Sequence, residues 1–295
     1  MKFPKSFFYT MLPYFVSFLT GIFIYCLSKY VNGNIRDLLI NISASLIAIT
    51  AILISYELIK SVSNRKLNQE IFEYGKMQID REVLGIVYQL MKFFYPLEEL
   101  DYSQSSVSKF LSISLKDINK LLETNTFFGF QIFRTWEAYE SNLENILKNP
   151  LITEKFENDQ IIAVIELLKR LRDVSDVQKI ENIFLPSEDK DVKNKYRLVR
   201  GSEVNKENKN YPDRFLLLRR VKDDKYQVLD FPDIPKYHEA EALKTYKINR
   251  SLVSHLGVPM YQLTENINLW LKLTGYEFLI DTKMFKMKTI TRNIS

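Results

Sequence analysis

The chain has 295 residues, 46% of them hydrophobic and 26% charged, with a formal net charge of +5. This length allows one or two domains with a sizeable core, and so small a net charge does not by itself indicate nucleic-acid binding. The single cysteine, Cys26, excludes a disulfide within one chain, and the low content of glycine (8) and proline (9) disfavours an all-β architecture.

Two stretches near the N-terminus, residues 6–28 and 38–56, contain no Asp, Glu, Lys or Arg. As helices rising ~1.5 Å per residue they extend ~34 and ~28 Å, against a hydrocarbon core of ~30 Å. The connector contains Asn32, Gly33 and Asn34, which favour a turn. The sequence therefore predicts a transmembrane hairpin in residues 1–60, with spans at about 6–28 and 38–58.

The charges that flank the two spans predict their orientation. Basic residues outside the hairpin connector outnumber those within it. The outer ones are Lys2, Lys5, Lys60, Arg65 and Lys66, and those in the connector are Lys29 and Arg36. Because basic flanks stay on the cytoplasmic side, we expect both termini in the cytoplasm.

Two other interpretations of the apolar stretches are less favoured. A signal peptide has a shorter apolar run and a small-residue cleavage site, whereas here a second span follows at once. A buried hairpin of a soluble fold would require two near-consecutive uncharged runs, which are unusual in soluble helices.

Small and polar residues mark one face of each predicted span. Ser17 and Gly21 lie on one side of the first, and Asn41 and Ser45 on one side of the second. These four are the predicted membrane-helix packing residues, because small side chains allow close approach of helix backbones. The faces pack either within one hairpin, which we favour, or between copies, with Asn41, Ser45 and Ser55 along a polar path. The absence of ionisable residues in mid-span gives no indication of a proton relay.

Residues 61–190 are predicted to form a cytosolic helical region. Because no proline occurs between Arg36 and Tyr95, either one helix runs to Pro96 or two helices meet near residues 61–68. Further helices are predicted at 105–125, opened by serine caps, at 127–149, and at 158–184, capped by Asp159. The last should bury Ile161, Ile162, Ile165, Leu168 and Leu171, and the core should hold Phe127, Phe128, Phe130, Phe133 and Trp136.

Residues 191–295 are predicted to form a basic α+β region with C-terminal helices. Strand patterns cover residues 198–199, 215–221 and 226–229, with a hairpin turn at 221–226. Helical patterns return at 236–257 and 259–280. The expected fold class is thus a mainly α membrane protein: a two-helix transmembrane hairpin plus a cytosolic α-helical domain with a small antiparallel β insert.

Positive charge concentrates between residues 193 and 225, where eleven Lys or Arg face five Asp or Glu. Tyrosines are interleaved with the arginines, which are Arg197, Arg200, Arg214, Arg219 and Arg220. Arginine forks suit phosphates and tyrosine rings offer stacking faces. These five arginines are the candidate site for an anionic ligand, namely a nucleic acid, a nucleotide or a lipid headgroup. The alternative is a solvated hairpin with ordinary surface charge.

No catalytic, cofactor or metal site is predicted. The only histidines, His238 and His255, have no cysteine near them, so the usual zinc spacings do not occur, and phosphate-binding glycine loops are also lacking. Pro212-Asp213 and Asp223-Asp224-Lys225 resemble the PD-(D/E)xK nuclease signature, whose carboxylates hold a metal beside a lysine. Here the second part falls in a predicted turn, where Asp and Lys are common.

A two-span hairpin followed by a cytosolic module without catalytic motifs resembles, in architecture, the two-transmembrane effectors of bacterial antiphage defence systems of the retron or cyclic-oligonucleotide type. The resemblance covers the hairpin and its order relative to the soluble part, and no residue motif carries it. It implies a homo-oligomeric toxin effector in the bacterial inner membrane, triggered by a nucleotide signal or by a protein or nucleic-acid partner of a defence operon. A membrane-anchored, non-catalytic nucleic-acid or protein binding module and a membrane-anchored nuclease are the alternatives.

Overall fold

The computed structural model describes residues 5–97, 100–101, 103–187, 195–201, 214–222, 225–230, 232–275, 277–278 and 291–293. It divides into two units, Met1–Glu70 and Ile71–Ser295. The hairpin predicted for residues 1–60 lies in the first unit. The second unit contains the predicted regions 61–190 and 191–295, apart from residues 61–70.

The first unit consists of helix α1, Lys5–Ser28, and the N-terminal part of helix α2, Asn34–Phe94. Gly33 adopts a positive φ of 72° in the turn between them, a conformation that glycine adopts without a steric penalty. Both predicted spans are therefore helical. Helix α2 continues without a break through residues 61–68, as the single-helix alternative requires.

Both helices are long and apolar enough to cross a membrane, and in their most apolar windows only 17% and 11% of the residues are buried. The core helix of a soluble protein would be mostly buried. Large apolar side chains such as Leu19, Phe23, Ile49 and Ile52 instead lie on the outside. An exposed apolar surface of this kind indicates association with a membrane or another apolar partner.

The second unit is mainly helical in the part of the chain that the structure describes. Its α-helices beyond α2 are α3 (Gln104–Leu111), α4 (Leu115–Thr124), α5 (Gly129–Ile132), α6 (Glu137–Leu147), α7 (Pro150–Thr153), α8 (Asn158–Gln178) and α9 (Val253–Thr274). Short 3₁₀ helices occupy Lys236–Glu241 and Arg250–Leu252. The C-terminal part of α2 packs with α8 and α9 in one apolar core, which includes Val87, Leu167 and Trp270.

Serine caps divide the predicted helix 105–125 into two. The Ser103 hydroxyl accepts from the Ser106 N–H at the start of α3, and that of Ser114 accepts from the Asp117 N–H at the start of α4. The predicted helix 127–149 is also interrupted, because Phe127–Phe128 forms strand β1 and α6 begins only at Glu137. The predicted helix 236–257 is likewise interrupted, because strand β6, Thr245–Ile248, lies between two 3₁₀ turns and the α-helix begins only at Val253.

Helix α8 buries a different face from the predicted one. Leu168 and Leu171 are buried as expected, but Ile162 and Ile165 are exposed. Ala163, Val164, Leu167 and Val174 take the inner positions. The cap is Glu157, whose backbone N–H donates to the Gln160 side chain, and not Asp159. Of the predicted core aromatics, Phe127, Phe130 and Trp136 are buried, and Phe128 and Phe133 pack beside them.

Two small antiparallel sheets complete the second unit. The first has the order β1–β6–β2, with β2 at Phe184–Ser187. The second has the order β3–β4–β5–β7, formed by Tyr196–Arg200, Phe215–Lys222, Lys225–Asp230 and Thr291–Asn293. The strands predicted in this second sheet and the hairpin pairing of β4 with β5 are confirmed.

Candidate anionic-ligand site

The sheet β3–β4–β5–β7 has an inner and an outer face. Side chains alternate between faces along a strand, and paired residues share a face. Tyr196, Phe215 and Leu217 lie on the inner face and pack with Phe130 of α5. The outer face carries the apolar residues Val199, Leu216 and Leu218, with Tyr226 and Val228 beside them.

Two of the predicted arginines, Arg197 and Arg220, occupy this outer face. Arg197 pairs with Leu218, and Arg220 pairs with Tyr226 on β5. Arg197 is thus a diagonal neighbour of Arg220 across β3 and β4, and Tyr226 lies directly opposite Arg220. The register therefore places two guanidinium groups and a phenol ring together, although Arg197 and Arg220 are 23 residues apart in sequence.

These residues line a hollow of about 530 Å³ together with Lys195, Tyr196, Leu198 and residues of the segment 239–243. The Lys195 ammonium lies 5.1 Å from the centre of the Tyr196 ring. Three cationic side chains and two tyrosines thus surround one space, while Glu239 is the acidic member of the lining. We call this the basic hollow.

The other three predicted arginines do not line the basic hollow. Arg200 pairs with the Glu239 carboxylate at 3.0 Å, and its guanidinium lies 5.4 Å from the centre of the Phe215 ring. Arg219 shares the inner-face register with Tyr196. Arg214 precedes β4 and lines a separate cavity next to Arg134. The five arginines were predicted to form one site because they are close in sequence. In the structure they lie on different surfaces, because successive side chains of a strand point to opposite faces.

A buried ion network fixes the end of strand β5. The Asp230 carboxylate accepts from Lys92 of α2 at 2.5 Å and from Arg134, and Asp230 is fully buried. Arg134 also donates to the Phe130 carbonyl at 2.8 Å and to the Gln89 side chain. Gln131 adds a bond to the Lys92 carbonyl at 2.8 Å. Strand β5, which carries Tyr226, is thereby joined to helix α2.

The charges in this network shift one another's pKa values. Burial by itself raises the pKa of Asp230, but Arg134 and Lys92 outweigh burial and hold that pKa at about 2. Burial lowers the pKa of Lys92, and Asp230 opposes this shift. No sequence pattern indicated the network, since Lys92, Arg134 and Asp230 are far apart in the chain.

His238 takes part in aromatic packing and His255 is exposed. The His238 ring stacks on Phe133, with ring centroids 4.3 Å apart and an interplanar angle of 13°. Burial lowers the pKa of His238. Among the described residues, no group of three His, Cys, Asp or Glu is arranged to hold a metal. Pro212-Asp213 and Asp223-Asp224 of the nuclease-like signature lie outside the described residues.

Within the hairpin, Ser17 and Gly21 face helix α2. The Ser17 hydroxyl lies 3.1 Å from that of Thr50, and the Ser43 hydroxyl donates to the Gly21 carbonyl at 2.8 Å. A Cβ at Gly21 would lie 2.9 Å from Ile47 Cγ1. Asn41 and Ser45 are exposed, whereas Ser43 and Thr50 are buried on the contact face of α2.

No protein-family model matches the chain, and neither the curated proteins nor the solved structures contain a match.

Proposed function

We propose that the chain is a membrane-embedded effector: its hairpin inserts into the bacterial inner membrane, and an anionic ligand in the basic hollow controls how the hairpin perturbs the bilayer. The observation that carries this proposal is the hairpin itself. Its two helices make polar contacts with each other and leave their large apolar side chains outside. Such an apolar surface suits the hydrocarbon core of a bilayer.

The ligand part of the proposal rests on the basic hollow. Arg197 and Arg220 supply guanidinium forks that match phosphate oxygens, and Tyr226 offers a face on which a base can stack. The ligand class that this arrangement suits is a nucleotide or a short single-stranded nucleic acid. Helix α2 connects this region to the hairpin, because it runs from Asn34 to Phe94 and its Lys92 forms an ion pair with Asp230 of strand β5.

The exposed face of α2 supplies a route to oligomers. Asn41 and Ser45 lie outside the contact with α1, and polar side chains in lipid find partners on other helices. Copies of the hairpin would associate through this face, which accounts for bilayer damage without any catalytic residue. In a cell, this activity would serve antiviral defence by stopping growth.

Induced expression with a voltage-sensitive dye tests the proposal. The wild-type chain should depolarise cells under inducing conditions. The charge reversals Arg197→Glu and Arg220→Glu together should abolish the response. The control is Lys169→Glu with Lys179→Glu, which should leave the response intact. Lys169 lies in α8 and Lys179 directly follows this helix, and both side chains are exposed. An unchanged membrane potential upon induced expression of the wild-type chain would overturn the effector proposal.

The basic hollow equally favours a second function, a membrane-anchored binding module in which the hairpin is only an anchor. Replacing residues 1–60 by an unrelated two-span anchor separates the two. Retained cellular activity with the foreign anchor supports the binding module, and lost activity with retained ligand binding supports the effector.

A further inference from the structure

A second cavity, of about 350 Å³, lies beside the buried ion network and away from the outer face of the sheet. Helix α2 contributes Glu82 and Gln89 to its walls, and α6 contributes Tyr139 and Asn142. The segment between α5 and α6 supplies Arg134, and Asp233 follows strand β5. This size falls in the range of small-molecule sites, ~300–1,000 Å³.

Arg134 and Arg214 both contribute positive charge to this cavity, and Arg134 is the buried one of the two. Arg134 is 6% exposed and lines the cavity wall. The described residues accept three of the five N–H groups of its guanidinium: Phe130 accepts from Nε, and Gln89 and Asp230 from the terminal nitrogens. Two N–H groups on the terminal nitrogens therefore remain for another acceptor.

The charge balance of the network favours an anion as that acceptor. Lys92 and Arg134 are two cationic side chains against the single carboxylate of Asp230, and all three are buried. Buried charges in proteins are normally paired. An oxyanion against Arg134 would complete the pairing, and the planar fork of arginine suits a carboxylate or a phosphate.

Tyr139 adds a hydroxyl donor next to Arg134. Its oxygen accepts from the Gln89 side-chain amide at 3.3 Å, which leaves the phenolic proton for another acceptor. Burial raises the pKa of Tyr139, so the proton is retained at neutral pH. Gly85 makes room for the ring, because a Cβ there would lie 2.5 Å from Tyr139 Cε1.

Two carboxylates also line the cavity. The Glu82 carboxylate accepts from the Asn142 side chain at 3.0 Å, and Asp233 lies at another part of the lining. These acceptors suit hydroxyl or amino groups of a ligand. The wall thus combines oxyanion donors at Arg134 and Tyr139 with acceptors at Glu82 and Asp233.

We propose that this cavity binds a small polyhydroxylated molecule that carries one carboxylate or phosphate group. Its oxyanion sits against Arg134 and Tyr139, and its hydroxyls donate to Glu82 and Asp233. The site is separate from the basic hollow, so it gives the protein a second ligand, of metabolite size.

Calorimetric titration of the full chain in detergent tests this assignment with four probes. Ribose 5-phosphate and gluconate carry the oxyanion and the hydroxyls, ribose lacks the oxyanion, and inorganic phosphate lacks the hydroxyls. Saturable binding of ribose 5-phosphate or gluconate, at least about tenfold tighter than that of ribose and inorganic phosphate, is the expected result. If ribose 5-phosphate binds more tightly than gluconate, the ligand carries a phosphate, and the reverse order indicates a carboxylate.

Substitutions on α6 locate the binding without disturbing Arg134. Ala138 is exposed and lines the cavity, so Ala138→Phe should fill it and remove binding. Ser141→Phe places the same ring on an exposed position of α6 outside the lining, and binding should persist. Tyr139→Phe keeps the ring and should weaken binding about tenfold or more, the effect of losing one hydrogen bond to a charged group.

Absence of binding for all four probes, equal binding of ribose, or undiminished binding in Ala138→Phe would each overturn the assignment. Arg220→Ala removes a cation from the basic hollow and should leave this titration unchanged. The experiment therefore stands or falls independently of the proposed effector function.

Discussion

In the second unit, Asp230 supplies the counter-charge for two buried basic side chains. Its carboxylate accepts from Lys92 and Arg134, which come from helix α2 and from the segment between α5 and α6. Removing one member of a buried ion network leaves the others without a counter-charge, which typically costs ~3–5 kcal/mol. Asp230→Asn keeps the shape of the side chain and removes its charge, so it isolates this effect.

We expect Asp230→Asn to lower the free energy of unfolding by about 3–5 kcal/mol at neutral pH. Urea unfolding of the full chain in detergent, followed by tryptophan fluorescence, measures this value. Both tryptophans of the chain, Trp136 and Trp270, are buried in the second unit, so the signal reports on that unit. The matched control, Asp233→Asn at a nearby exposed carboxylate, should change the value little.

The same substitution should change the acid dependence of stability. The pKa of Asp230 is depressed to about 2 in the folded chain, from 3.8, so its contribution is fully present above pH ~4. That contribution is lost as the pH falls through 4 towards 2. The difference in unfolding free energy between wild type and Asp230→Asn should therefore shrink over this interval, and a constant difference would contradict the ion-network account.

A second buried pair, Lys76 and Asp80 of helix α2, gives an independent test. The Lys76 ammonium donates to the Asp80 carboxylate at 2.5 Å and to the Glu277 carbonyl at 2.8 Å, and Trp270 Nε1 donates to Asp80 at 2.8 Å. Lys76→Met should destabilise the second unit by ~3–5 kcal/mol, because it removes the basic partner of the buried Asp80 carboxylate. Adding Asp80→Leu should recover part of that loss of stability. A double variant that is less stable than Lys76→Met would refute this explanation.

At the scale of elements, helices α1 and α2 of the first unit make a specific contact. The hydroxyl oxygens of Ser17 and Thr50 lie 3.1 Å apart. Gly21 packs closely against Ile47, and its carbonyl accepts from the Ser43 hydroxyl. This contact lies within one hairpin, while Asn41 and Ser45 remain exposed. The two arrangements that the sequence left open, within one chain and between chains, therefore make different predictions for cross-linking.

In a Cys26→Ser background, Ser17→Cys with Thr50→Cys should form a disulfide within one chain upon mild oxidation. Electrophoresis without reductant should show an oxidised monomer, and a thiol-reactive polymer should no longer add mass to it. Thr20→Cys with Thr50→Cys is the control, because Thr20 is exposed on α1 and should not cross-link within the chain. A disulfide-linked dimer as the main Ser17–Thr50 product would place this face between copies.

The elements differ in how far the sequence specifies them. Long uncharged runs predict α1 and the start of α2 because the signal is local and continuous. The serine caps at Ser103 and Ser114 are also local, but the prediction of one helix over 105–125 missed the break at Ser114. Strands β1, β2 and β6 are two to four residues long and pair across the chain, as Phe127 does with Tyr246. Such short segments carry no periodicity of their own, so tertiary pairing decides their conformation.

The candidate sites show the same contrast between local sequence signals and tertiary contacts. The basic hollow contains Arg197 and Arg220, which composition indicated, but their shared face follows from the register of β3 with β4 and of β4 with β5. The cavity beside Arg134 assembles residues from α2, α6 and two loops. No spacing in the sequence marks it, because contacts between residues so far apart arise only when the core packs.

For the molecule as a whole, the order of charge along the chain predicts the side of the membrane that holds the second unit. Lys60, Arg65 and Lys66 follow the second span, whereas Lys29 and Arg36 lie in the connector. Basic segments within ~15–20 residues of a span are retained in the cytoplasm. We therefore expect a C-terminal green fluorescent protein fusion to fluoresce, and a C-terminal alkaline phosphatase fusion to be inactive.

Shifting the charge should shift the orientation. Replacing Lys60, Arg65 and Lys66 by Gln and placing lysines at Asn32 and Asn34 reverses the balance around the second span. A measurable fraction of the phosphatase fusion should then become active, because the connector now competes for the cytoplasmic side. Replacing Lys169, Arg170 and Arg172 of α8 by Gln removes as many charges far from the spans and should leave the fusion inactive. Phosphatase activity in the unmodified chain would mean that the second unit lies outside the cytoplasm, where a nucleotide signal could not reach the basic hollow.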